Sequence, residues 1–140
     1  MEPEIIRHEG QLLAVIVRGS FRRPGVHFFT PGNFSQQLAF MQHPKQKIIA
    51  PHLHNPVHRE IEYTNEVLFL RKGKLRVDFY SEKKIYIESR VLEAQDTILL
   101  IRGGHGFEVL EEVEMLEVKQ GPYAGDQDKT LFEARPPVSG

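Results

Sequence analysis

From Glu66 onward the chain falls into short segments rich in β-branched and aromatic residues, each closed by a turn signal. Glu66–Arg71, Lys74–Tyr80, Lys84–Leu92, Thr97–Ile101, Gly106–Leu110 and Glu114–Lys119 read as strands. Their joints are Lys72-Gly73, Ser81-Glu82-Lys83, Ala94-Gln95-Asp96 and Gly103-Gly104. Leu75, Val77 and Phe79 alternate with Lys74, Arg76 and Asp78, the period of a half-buried strand. Thr97–Ile101 is apolar on both faces and belongs in the middle of a sheet. No stretch of about a dozen residues keeps the helical period, so the chain is expected to be all-β, an antiparallel sandwich or closed barrel.

The N-terminal part is sparser. Gln11–Arg18 is a strand bounded by Gly10 and Gly19, apolar enough to pair with a neighbouring molecule at an exposed edge. Val26–Thr30 is a short apolar piece between breakers, and Gln37–Gln42 is a strand or one helical turn. Lys47–Ala50 reads as a short strand ending at Pro51. Beyond Gln120 the chain is rich in Gly, Pro and charge. Residues 133–140 are expected to be loose, with Leu131 and Phe132 able to anchor a short segment.

At 140 residues the chain is expected to form one domain with a core of its own. The net charge of -1 offers no electrostatic attraction to nucleic acid or an anionic membrane. The absence of cysteine removes thiolate metal sites, disulfides and thiol nucleophiles. Met1–Gly10 lacks the pattern of a secretory signal, and no apolar run approaches the roughly 20 residues that span a bilayer. A cytoplasmic protein is the resulting expectation, and the apolar strand Gln11–Arg18 adds a homodimer of two-fold symmetry.

The densest chemistry lies in Pro51–Gly73, where His52, His54 and His58 precede Glu66. Imidazole and carboxylate are ligands for a divalent transition metal. Residues two apart on an extended chain share a face, so His52 and His54 can converge on one point. The direction of His58, beyond Pro56, does not follow from the sequence. Glu66 shares its parity with Leu68 and Leu70 and would enter an apolar interior, where a carboxylate needs a metal or cation beside it. His105, in Ile101–Phe107 among glycines, is a candidate for a third or fourth ligand from a distant strand. His8, His27 and His43 read as solvated surface residues. In the loop before Glu66, Arg59 and Tyr63 are candidate ligand-binding groups, with Arg59 suited to a carboxylate or phosphate. Glu66, His58 and Tyr63 are candidate proton-transfer groups.

These motifs resemble the cupin superfamily. His52-Leu53-His54 matches its HxH pair, and Glu66 stands six intervening residues before Gly73, as in the first cupin motif. The gap between His54 and Glu66 is eleven residues, longer than the family's three or four. Gln95-Asp96, Thr97–Ile101 and Gly103-Gly104-His105 follow the second motif without its proline. The resemblance covers about residues 47–119. It implies a single cupin domain, an antiparallel double-stranded β-helix (jelly roll) with an N-terminal strand extension. It also implies one metal (Zn, Fe, Mn or Ni) held by His52, His54, Glu66 and His105, and the enlarged loop leaves room for His58 to act in place of one of them.

More narrowly, His54–Val57, Gly103–Leu110 and Glu117–Gly125 are similar to small cupins associated with surface-polysaccharide and sugar-nucleotide metabolism. That likeness implies a small polar ligand, carbohydrate-related or a carboxylate, bound or converted in the barrel. Metal-dependent isomerisation or epimerisation beside a carbonyl is the reaction expected of an enzyme. A ligand-binding or sensing module without turnover is the alternative.

Overall fold

A computed structural model describes residues 1–133, and the described chain is all-β. Its strands are β1 (Glu4–His8), β2 (Gln11–Val17), β3 (Gly25–Phe28), β4 (Ala39–Gln42), β5 (Glu66–Tyr80), β6 (Tyr86–Glu93), β7 (Thr97–Leu100) and β8 (Gly104–Lys119). One antiparallel sheet has the order β1-β2-β7-β5-β6, with β8 also paired to β5, while β3 and β4 form a separate ribbon. The residues after Glu133, which hold nearly all of the expected loose tail, lie outside the described part.

Strand β5 shapes the molecule. Its first half pairs with β7 and with the end of β8; its second half pairs with β6 and with the start of β8. The β5–β8 ladder slips register between Leu70 and Leu75, around Gly73. Gly73 has φ 93°, and a Cβ there would lie 2.0 Å from the carbonyl oxygen of Glu112. Only glycine meets both demands, a left-handed backbone and contact with the facing strand. The fold of β5 at this point turns Leu68 and Leu70 toward the same core as Leu75, Val77 and Phe79. Ile6, Leu13, Ile16, Leu92, Ile98 and Leu100 complete that core. The result is a strongly curled half-barrel with its apolar face inward.

A second apolar layer lies on the other side. Leu12, Val15, Val17, Phe21, Leu99 and Ile101 are covered by Phe29, Phe34, Leu38 and Phe40 from the β3–β4 region. Phe21 meets the rings of Phe29 and Phe40 edge-on, at 5.3 and 4.9 Å. Burial on both sides explains why β2 and β7 are continuously apolar.

Several strand-level expectations change. β2 is not an edge strand: β1 covers one side of it and β7 the other. β1 has no counterpart among the expected strands; it joins β2 through Glu9-Gly10, both at positive φ (49° and 78°), the backbone of a tight primed hairpin. Glu66–Arg71 and Lys74–Tyr80 are one strand, as are Gly106–Leu110 and Glu114–Lys119, because a bend need not interrupt pairing. Gln37–Gln42 is resolved as strand from Ala39. Lys47–Ala50 forms no strand in the single chain.

An ion-pair network closes the N-terminal side. Arg18 donates to Glu4 at 2.6 Å and to Asp96 at 2.9 Å, and Arg90 donates to Glu4 at 2.7 Å. Asp96 is buried and also accepts the backbone N–H groups of Gly19 and Glu93. The turn after β2, strand β1 and the β6–β7 turn are thereby held together.

Candidate functional site

Glu66 opens β5, and His105 near the start of β8 is paired opposite Phe79, at the far end of β5. A straight strand would hold those two ends roughly 40 Å apart, at about 3.3 Å per residue. The fold at Gly73 brings them together. Leu100 pairs with Glu66, and the glycine turn at Gly103-Gly104 then carries His105 back across the opening. His105 Nε2 lies 2.8 Å from Glu66 Oε1, with the two side chains 29% and 14% exposed.

Lys119, the residue paired to Glu66 across the ladder, places its ammonium 3.8 Å from Glu66 Oε2 and 3.2 Å from Glu117 Oε1. The hydrogen bond from His105 holds the Glu66 carboxyl down to about 2, against the opposing effect of burial, with help from Glu117 and Lys119. Glu117 moves the other way: its neighbour Glu66 and desolvation raise it. Lys119 is raised by the carboxylates beside it, Glu117 foremost. Glu66 is therefore the ionised partner of this pair. A carboxylate accepting from Nε2–H leaves His105 Nδ1 as the basic nitrogen of the ring.

This dyad lines a cleft of about 750 Å³, with Tyr63, Tyr80, Arg102, Phe107 and Lys119. The Arg102 guanidinium stacks over the Tyr63 ring at 5.1 Å. Asp128–Phe132 forms another wall. Thr64 Oγ1 donates to Asp128 Oδ1, and Phe132 meets Tyr80 edge-on at 5.1 Å. Phe132 thus anchors the segment, while Leu131 is exposed. Gly104 makes room for it, since a Cβ there would come within 2.8 Å of the Phe132 ring.

Of the other expected site residues, all but Tyr63 are elsewhere. His52 and His54 do lie side by side, with ring centroids 5.3 Å apart, but on an arm in which every residue from Pro44 to Tyr63 is exposed. His52 Nδ1–H is directed at the Ala50 carbonyl, 2.9 Å away. His58 lies 3.8 Å from Glu60 on the same arm. Neither His58 nor Arg59 lines the cleft, whereas Tyr63 does. His8 lies beside Glu9, and His27 bonds to the Pro24 carbonyl.

Among the described residues no three histidine, aspartate or glutamate side chains are grouped so as to hold a metal ion. Glu66 and His105 are directed at each other, with an ammonium alongside. In this arrangement the four residues do not fit the metal centre that the resemblance implies.

Lys119, Glu117 and Arg102 belong to the site and were not singled out from the sequence. Lys119 and Glu117 become visible only through the β5–β8 register. Arg102 had a local signal, a guanidinium directly before the Gly103-Gly104 turn. Compared with protein-family models, with curated proteins and with solved structures, the chain has no match.

Proposed function

We propose that the cleft binds a small polar ligand, carbohydrate-related or a carboxylate, and moves a proton at the carbon beside its carbonyl. The observation that carries this reading is the 2.8 Å contact between Glu66 and His105 at the wall of a cleft that also presents Arg102 and Lys119. Glu66 orients the imidazole and stabilises it once charged, and His105 Nδ1 takes the proton. The electron pair of the broken C–H bond moves onto the carbonyl oxygen, where a cation stabilises the enolate. Protonation of the same carbon on its opposite face gives epimerisation; protonation of the former carbonyl carbon, with the neighbouring hydroxyl proton passing to the enolate oxygen, gives isomerisation. Tyr63 and Phe107 offer ring faces for a sugar. A small cupin is the family reading that the sequence motifs support.

The test is solvent deuterium uptake, followed by proton NMR, over a panel of aldoses, ketoses, sugar acids and nucleotide sugars. One class should exchange the hydrogen beside its carbonyl. Glu66→Gln and His105→Gln, each still folded, should slow that exchange by about 100-fold or more. Tight binding without exchange would instead identify a non-catalytic binding module.

A metal-dependent form is the second reading, favoured by the proximity of Glu66 and His105, two of the four implied ligands. Metal analysis by plasma mass spectrometry, on protein purified without chelator or His tag, separates the two. Stoichiometric metal that disappears in His52→Ala and His54→Ala would replace the proton-transfer dyad with a metal centre.

A further inference from the structure

Every residue from Pro44 to Tyr63 is exposed, and apart from a turn at Lys45-Gln46 and a bend at Tyr63 the segment has no assigned secondary structure. Compact domains seldom carry an irregular connection of this length without a use for it. Its apolar side chains face solvent: Ile48 is 82% exposed and Leu53 78%, with Ile49 and Val57 also open. Lys47–Ala50 has a strand-like sequence and no strand partner among the described residues.

The molecule also contains a complementary surface. β8 is sixteen residues long and pairs with β5 alone among the described residues, so its other edge is open. Val109, Leu116 and Val118 on it are exposed. The charges are opposite. From His43 to Arg59 the arm has Lys45, Lys47 and Arg59 and no acidic residue. β8 has five glutamates against one lysine, and Glu111, Glu112 and Glu114 are exposed at its centre.

We propose that the arm of one copy pairs on the open edge of β8 in a second copy, and reciprocally, giving a two-fold homodimer by strand addition. Arm and acceptor are both present in each chain, so one rotation satisfies both contacts. Two β8 edges placed together would bring glutamates against glutamates, whereas arm on β8 brings lysines to them. Pro51 and Pro56 cannot both direct their missing N–H groups away from β8, because they differ in parity. The paired segment is therefore Lys47–Ala50, between the Lys45-Gln46 turn and Pro51. This inference does not depend on the chemistry of the cleft.

Light scattering and sedimentation of the full chain at tens of micromolar should give a dimer. Lys45→Glu with Lys47→Glu in the arm, and separately Leu116→Lys on β8, should raise its dissociation constant about tenfold or more with unchanged circular dichroism. All of these positions are exposed, so folding should survive. The chain has no cysteine, which makes cross-linking specific. Ile49→Cys chains mixed with Leu116→Cys chains should give a covalent dimer with a bis-maleimide. A monomeric wild-type mass, a dimer indifferent to both sets of changes, or cross-linking only within a doubly substituted chain would each overturn the proposal. The last two results would point to another face or to an arm that folds onto its own β8.

Discussion

Glu66 is the residue at which sequence and site chemistry meet. A carboxylate at the entrance of an apolar half-barrel needs compensation, and His105 and Lys119 provide it. Its folded-state value of about 2, below the ordinary 4.5, has a consequence for stability. A depressed carboxyl contributes stability that is present above about 4.5 and is lost as pH falls through about 2. Glu117, raised by the same contact, acts in the opposite sense and offsets part of this. Urea titrations between pH 6 and 2 should therefore show stability falling below about pH 5, with a smaller fall in Glu66→Gln. An identical slope in the variant would mean that the His105 contact contributes nothing to the folded state. His52 and His54 had an equally strong residue-level signal, and their shared face is seen in the adjacent rings. Parity along a strand governs how two neighbours face each other. It contains no information about where the strand itself lies.

At the scale of elements, the bend in β5 positions the dyad. Gly73 separates two runs whose alternation reads as two strands, yet the chain pairs through it. The apolar pattern on either side was legible because each half buries its own face. The continuity was not, because a bend and a break leave the same glycine in the sequence. Gly73→Ala would combine a strained φ with a Cβ pressed against Glu112 O, and should destabilise by about 2–4 kcal/mol. Gly32→Ala, where nothing lies within 4 Å of the added Cβ, should stay within about 0.5 kcal/mol of wild type. Thermal unfolding of both checks this. A mild Gly73→Ala would show that the fold of β5 is set by its partners rather than by this residue.

For the whole molecule, the ion-pair network around Asp96 links segments far apart in sequence. Asp96→Ala would leave the N–H groups of Gly19 and Glu93 and the Arg18 guanidinium without their shared acceptor. The expected loss is about 2–4 kcal/mol in denaturant unfolding, larger than for an exposed ion pair such as Lys72–Glu112. What the sequence by itself determined is the local part. Turn residues and period-two patterning specify the strands from Glu66 to Lys119, and the two-sided apolar run of β7 specifies its central place. These properties depend on neighbours along the chain, which the sequence presents directly. Glu66 and His105 were expected in one site; tertiary structure alone decided that they bond directly to each other, that Lys119 and Glu117 join them, and that His52 and His54 lie out on an arm. Those outcomes depend on how far a ribbon curls and which edges it leaves open. Both are set by the balance of packing across strands distant in sequence, which no local pattern records.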